Sequence, residues 1–258
     1  MTFKNNDFQC DFIEVVGERH TGTNYLEQLL LLNTECSIMR NTAHSVISKL
    51  PRFAKEQAID LYFKLASASN IKWKHRALSQ DDARDRLKFN CGIICLVKDP
   101  LSWIVSLKRK PYHSKWMHEN FEGSLYEFAC SPWQCRTREF VNKKVNVAEL
   151  YQHKVESYLN LKHCKNLIII RYEDLVLHKK DTLDLIIEKF NVIEKQTPFQ
   201  DLNQSTKSKR NNYDSRSADD FVFNIVQKTW LEEYEGDAIS KVLGLFDKAL
   251  LEKLGYPY

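Results

Sequence analysis

No stretch of this sequence approaches the eighteen or so consecutive apolar residues that a membrane span needs. The opening Met1-Thr2-Phe3-Lys4-Asn5-Asn6-Asp7 lacks the basic-then-apolar profile of a secretion signal. Both absences lead us to expect a soluble, cytoplasmic protein. Paired C-x2-C spacing is also missing: neither Cys91-x3-Cys95 nor Cys130-x4-Cys135 suits a zinc site. Seven cysteines, an odd number in a long chain, read as reduced thiols in a reducing compartment. Charge of one sign is not in excess, since 38 Lys+Arg against 34 Asp+Glu leave only +4. That balance argues against a continuous basic face for nucleic acid and leaves room for a local basic site. Repeats, low-complexity tracts and a domain linker are missing as well. With 258 residues, 43% of them hydrophobic, the chain is expected to build one core, a single domain over residues 1–258.

What is present is a strand–loop–helix unit that recurs. Phe12-Ile13-Glu14-Val15-Val16 is a short apolar run ending at Gly17, and from Thr23 the residues Tyr25, Leu26, Leu29 and Leu30 follow helical spacing. Gly92-Ile93-Ile94-Cys95-Leu96-Val97 stops at Asp99-Pro100, where Asp can cap and Pro can open a helix carrying Leu101, Ile104, Val105 and Lys108. Leu167-Ile168-Ile169-Ile170 leads through Arg171-Tyr172-Glu173-Asp174 to a helix with Leu183, Ile186, Ile187 and Phe190. Near-continuous apolar strands alternating with helices predict a parallel sheet covered on both faces, a three-layer α/β/α architecture. Segments 43–66, 80–88 and 138–163 read as mostly helical, and Asn70-Ile71-Lys72-Trp73-Lys74-His75 as a short inner strand. Residues 201–219, with Lys207, Lys209, Arg210 and Arg216 among Asn and Ser, read as a mobile loop. A last helix is predicted over 237–254, with Gly255 as its C-cap.

Gly17-Glu18-Arg19-His20-Thr21-Gly22-Thr23-Asn24 has the G-x4-G spacing of a phosphate loop between a strand and a helix. Such a turn lets successive backbone N–H groups converge on a phosphate at the positive end of the helix. Where a nucleoside-triphosphatase has Lys, however, this sequence has Thr23, and where it has the Ser/Thr that holds magnesium, Asn24. Arg19, His20, Thr21 and Thr23 add donors without adding a metal ligand.

These features together resemble the PAPS-dependent sulfotransferase family. The family's 5′-phosphosulfate loop, Lys-Ser-Gly-Thr-Thr-Trp, has its counterpart in His20-Thr21-Gly22-Thr23-Asn24-Tyr25. Its 3′-phosphate segment, an Arg followed eight residues later by a Ser, corresponds to Lys98-Asp99-Pro100-Leu101-Ser102-Trp103-Ile104-Val105-Ser106, with Lys in place of Arg. Its Tyr-Glu-Asp at the end of a later strand reads Tyr172-Glu173-Asp174, and Lys253-Leu254-Gly255-Tyr256 is similar to how such chains finish. The resemblance implies a P-loop-containing nucleoside-triphosphate-hydrolase-like fold, PAPS as sulfuryl donor, adenosine 3′,5′-bisphosphate (PAP) as product, and no metal. It implies that Thr21, Gly22, Thr23 and Asn24 cradle the 5′-phosphate, that Lys98 and Ser106 hold the 3′-phosphate, and that Tyr25 and Tyr172 contact the adenine.

The family's loop lysine is His20 here, so Arg19 is the favoured replacement as the cation beside the leaving phosphate, with Lys74 second. The family often uses a His just after its second strand as base, and His75 occupies a comparable place, with Glu18 in reserve. The acceptor is a small molecule or glycan bearing a hydroxyl or amine; carbohydrate, lipid-linked glycan, small phenol and peptide stay open. Trp103, Trp116, Trp133 and Tyr112 are candidates for the wall of its site. A P-loop small-molecule kinase and a non-catalytic nucleotide-binding module of the same fold are the alternatives.

Overall fold

A computed structural model describes residues 8–39, 41, 47, 50–66, 71–112, 118, 121–141, 144–202, 217–256 and 258. Along the chain lie β1 (Phe12–Gly17), α1 (Thr23–Asn33), β2 (Ser37–Ile38), α2 (Arg52–Ala66), α3 (Gln80–Lys88), β3 (Cys91–Val97) and α4 (Pro100–Arg109). Then come α5 (Leu125–Cys130), β4 (Pro132–Trp133), β5 (Val145–Asn146), α6 (Val147–Leu159), β6 (Leu167–Arg171), α7 (Tyr172–Leu177) and α8 (Lys179–Phe190). The C-terminal part holds α9 (Ala218–Gln227), α10 (Ala238–Leu243) and α11 (Lys248–Lys253).

Four strands form a wholly parallel sheet in the order β2-β1-β3-β6, while β4 and β5 make a separate antiparallel pair. Every residue of β3 is buried, because alternate side chains leave the pleat on opposite faces and both faces are covered. Ile93, Cys95 and Val97 pack with Trp103, Ile104, Tyr151 and Phe246 on one face. Ile94 and Leu96 pack with Leu26, Leu30, Ile186 and Phe190 on the other. The chain leaves β1 toward β2 on one side and reaches β3 on the other, which opens a crevice at the carboxyl ends of β1 and β3.

Glu14, in the middle of β1, is fully buried with its carboxylate gripped by two arginines. Arg76 donates to Oε1 and Oε2 at 2.9 and 3.1 Å, and Arg86 donates to Oε2 and Oε1 at 2.6 and 3.1 Å. Asp82, which closes the capping box of α3 with Ser79, accepts from Lys72 at 2.8 Å and stands 3.4 Å from Arg76. These contacts hold residues 72–79 along the carboxyl end of β1.

The structure departs from the sequence reading in four places. No strand forms over the described residues 71–75; the chain turns there, because its polar groups go to the β1 loop and to side chains rather than to a sheet neighbour. The helix expected over 43–66 is described from Arg52, just after Pro51, with residues 42–46, 48 and 49 outside the described residues. Among the described residues of 138–163, only Val147–Leu159 is α-helical, since Asn146 and Glu149 form a capping box that starts the helix there. The last helix is broken, with Asp247 capping a fresh start at α11, and Gly255 ends it at φ +77°. Residues 203–216, the greater part of the loop expected over 201–219, lie outside the described residues.

Burial pushes the Glu14 carboxyl up, but Arg76 and Arg86 overcome this and leave it lowered from the usual 4.5 to about 2. Its contribution to stability is therefore complete above about pH 4.5 and is lost as pH falls toward 2. Glu14→Gln leaves two buried guanidinium groups short of a counter-charge and is expected to cost about 3–5 kcal/mol at pH 7. Urea unfolding at pH 7 and pH 3 checks this: the substitution should lower the pH 7 midpoint strongly and the pH 3 midpoint less. Equal midpoints for parent and variant at pH 7 would refute it.

Candidate active site

The loop after β1 is shaped by two residues in the left-handed region, His20 at φ +69° and Gly22 at φ +87°. Thr21 steadies the bend, its hydroxyl donating to the Glu18 carbonyl at 2.6 Å and its N–H to the same oxygen at 3.3 Å. Gly22 is the N-cap of α1 and offers no side chain to the first turn, so that turn's N–H groups are left for another partner. A Cβ on Gly22 would stand 2.8 Å from the Tyr172 ring, so the glycine also lets the tyrosine close over the loop. A Cβ on Gly17 would meet the Leu96 carbonyl at 2.7 Å, which is how β1 and β3 approach closely at the crevice.

A cleft of about 460 Å³ opens above these strand ends. Its walls bring together His20, Gly22, Thr23, Asn24, Tyr25, His75, Lys98, Ser106 and Tyr172 from the sequence reading, although they come from four separate stretches of chain. Lys98 donates to the Ser106 hydroxyl at 3.0 Å, Ser106 donates to the Ser102 carbonyl at 2.9 Å, and the Lys98 ammonium lies 5.0 Å from the Tyr172 ring centre. The N-terminus of α4 is already capped by Asp99, which accepts from the Ser102 N–H at 2.9 Å. Side-chain donors therefore line that side of the cleft, and backbone N–H groups the α1 side.

His75 reaches the cleft from the turn held by Arg76. Its Nδ1 lies 2.6 Å from the Gly17 carbonyl, and Gly17 N–H donates to the Lys74 carbonyl at 3.0 Å. A carbonyl can only accept, so Nδ1 carries the proton and Nε2 keeps its lone pair. Burial, followed by the charges of Arg19 and Lys74 and then that of Lys154, holds the imidazole well below the usual histidine value, outweighing the Gly17 bond that favours the cation. The result is a neutral ring at neutral pH, with Nε2 unprotonated.

The structure does not bring Arg19, Glu18, Thr21 or Lys74 into the cleft lining. Arg19 turns under the loop to pair with Glu139 at 2.8 Å and Glu18 at 3.1 Å, its charge lying between Trp73 and Tyr112. The Glu18 carboxylate is held by Arg19 and by the fully buried Lys154, which also donates to the His75 carbonyl at 2.8 Å. Neither Glu18 as a base nor Arg19 as a direct contact suits that geometry. Lys74 donates to Asn24 Oδ1 and lies 3.3 Å from Glu27; burial lowers its pKa despite Glu27. Lys74 therefore stands behind the first turn of α1. Trp103 and Trp133 belong to the core, Trp116 lies outside the described residues, and Tyr112 lines the cleft beside His20, their ring centres 4.9 Å apart. His20 itself is fixed by Nε2 donating to the Lys110 carbonyl at 3.0 Å.

Sequence reasoning missed Lys154 and Glu139, which sit in a stretch with no motif, and the wall made by Phe221, Ile225 and Trp230. It also missed that Glu173 accepts from the Asp99 N–H at 3.0 Å and from the Tyr256 hydroxyl at 2.9 Å, joining two strand ends to the C-terminal segment. Only the amphipathic spacing of Phe221 and Ile225 carried a signal.

Compared with known proteins, residues 11–219 match the family described as the sulfotransferase domain. No curated protein matches the chain. Among solved structures, it is similar to the sulfotransferase domain from the curacin biosynthetic pathway, with 15% identity over 96% of this chain and 98% of that one and a TM-score of 0.46. It is similar to a mouse sulfotransferase complexed with PAP, with 17% identity over 96% of this chain and 83% of that one and a TM-score of 0.45. The sulfotransferase domain of the Synechococcus PCC 7002 olefin synthase is 12% identical over the whole of both chains, with a TM-score of 0.44.

The His75 environment gives a direct expectation. Followed by NMR, its imidazole should titrate with a midpoint well below 6.5, and the ring should report an Nδ1–H tautomer at pH 7. A midpoint at or above 6.5, or an Nε2–H tautomer, would contradict the geometry.

Proposed function

This chain belongs to the sulfotransferase domain family, and from that premise we propose that it transfers a sulfuryl group from PAPS to a hydroxyl or amine of a small-molecule or glycan acceptor, a carbohydrate being one class that fits. The reading is supported by two separate sets of donor groups that line one cleft. One is the backbone turn at Gly22–Asn24; the other is Lys98 with Ser106. A ligand with two separated phosphate groups suits such a pair, whereas a triphosphate with magnesium would call for the Lys and Ser/Thr that Thr23 and Asn24 replace.

Under this proposal Gly22, Thr23 and Asn24 bind the 5′-phosphate end, Lys98 and Ser106 the 3′-phosphate, and Tyr25 and Tyr172 flank the base. The donor supplies a sulfuryl group already joined to a phosphate leaving group, so the protein's work is alignment and neutralisation of charge. Lys74, bonded to the Asn24 carbonyl oxygen, orients that amide and adds positive charge behind the first turn of α1. Arg19 contributes indirectly, by fixing the underside of the loop. His75 Nε2 accepts the acceptor's proton, and its neutral state at pH 7 keeps that lone pair available. The free cysteines suit a reducing compartment such as the cytoplasm.

Adenosine 3′,5′-bisphosphate should raise the melting temperature by ligand linkage, and AMP should do so far less. Lys98→Ala should weaken the bisphosphate by about 1.5–3 kcal/mol, roughly ten- to a hundredfold, and leave AMP nearly unchanged. Equal binding of the two nucleotides would remove the 3′-phosphate site from this reading.

His75→Ala should lower kcat by about a hundredfold or more while donor affinity barely moves. The check is turnover with PAPS on an acceptor that the parent protein sulfates, with circular dichroism to establish that the variant is folded. Near-normal turnover in a folded variant would exclude His75 as the base.

A further inference from the structure

We propose that the open edge of β6 binds an acidic, extended segment of a partner protein, which adds to the sheet as a fifth strand. This goes beyond the sulfuryl-transfer reading and does not depend on it. β6 ends the strand order β2-β1-β3-β6, so one of its two edges has no sheet neighbour among the described residues. The Ile93 N–H donates to the Asn166 carbonyl at 2.7 Å, and in a parallel ladder successive residues alternate their backbone groups between the two edges. Asn166, Ile168 and Ile170 therefore face β3, and Leu167, Ile169 and Arg171 face outward. Leu167 N–H is spent on the Cys164 carbonyl at 3.1 Å, whereas Ile169 makes no outward backbone bond to any described residue.

A groove of about 280 Å³ runs beside this edge. Leu159, Ile168 and Ile169 give it an apolar floor, and Lys162, Lys189 and Lys253 supply a rim of one sign, with no carboxylate among the groove's lining residues. Lys162 and Lys253 are exposed. Arg171 forms the end wall, committed to Asp174 and to the Gly255 carbonyl at 2.8 Å.

Three features select the occupant. The Ile169 N–H and C=O, with no outward backbone partner among the described residues, match an extended backbone, the apolar floor takes alternate side chains, and the lysine rim calls for carboxylates on the others. A second copy of this chain pairing edge to edge would set these lysines against themselves, the usual way proteins keep an edge from self-association. A nucleic acid or sulfated polysaccharide would answer the charge but not the backbone or the floor.

The test uses the whole chain and a fluorescein-labelled synthetic peptide of alternating Glu and Val, about seven residues long. Fluorescence anisotropy should report binding that weakens as salt rises from about 50 to 300 mM, because the rim charges are exposed. A peptide with Pro at its centre, unable to donate there, should bind at least about tenfold more weakly, as should the parent peptide to a Lys162→Glu/Lys253→Glu double variant. Hydrogen exchange should show new protection at the Ile169 amide. Undiminished binding of the Pro peptide, absence of Ile169 protection, a sulfated oligosaccharide that binds as well as the peptide, or no binding by the acidic peptide would each overturn the proposal.

Discussion

A carboxylate placed in the middle of a buried strand is the constraint from which the rest of this molecule follows. Glu14 cannot reach water, so the fold must bring charge to it, and it does so with Arg76 from the turn before α3 and Arg86 from α3 itself. Such an arrangement need not add net stability over an apolar one, but removing any partner is costly, so it fixes position. The turn carrying Arg76 also carries Lys74 and His75. Once Arg76 is anchored, the Lys74 carbonyl meets the Gly17 N–H and the His75 ring meets the Gly17 carbonyl. The ring's tautomer is thereby tied to a strand-end carbonyl. A second buried group, Glu18 and Glu139 with Arg19 and Lys154, supports the same loop from below.

How far the sequence foretold this depends on where each residue sends its bonds. β1, β3 and β6 were legible because consecutive apolar residues bounded by Gly, Asp-Pro or a charged run have few other places to go. The turn at Gly22–Asn24 was legible from the glycine spacing, whereas the pairing of Lys98, just ahead of α4, with Ser106 on that helix was implied only by the family resemblance. The turn at 71–75 was not, because its alternation imitates a strand while its backbone and side chains bond to a loop far away in sequence. Arg19 shows the complementary difficulty. Adjacency to a phosphate loop does not reveal direction, and here Glu139, on a stretch that reads as helical, draws the guanidinium inward. Lys154 lies among helix-compatible residues and nothing in its neighbourhood announces a buried ammonium.

Tyr172-Glu173-Asp174 acquires a physical meaning from its three different partners. Tyr172 lies against Gly22, Glu173 accepts from the Asp99 N–H and the Tyr256 hydroxyl, and Asp174 pairs with Arg171 at 2.7 Å. Successive residues at one strand end thus connect the α1 loop, the start of α4 and the C-terminal segment. Burial raises the Glu173 pKa against the bonds that favour its carboxylate, and Asp99 adds to the rise. The two sides of the cleft are in this way parts of one connected framework.

The pairing of Glu18 with Lys154, residues 136 positions apart, has a kinetic implication. Lys154 is carried by α6, so the ammonium and carboxylate meet only once α6 lies against the β1 loop, and the loop's support comes from contacts between distant parts of the chain. Loop-closure entropy must be overcome before such contacts contribute, which slows folding and delays completion of the site. During synthesis, β1 and its glycine turn leave the ribosome long before Lys154 exists. In that interval Glu18 has only Arg19, its neighbour in sequence, as a counter-charge from the buried group that later supports the loop.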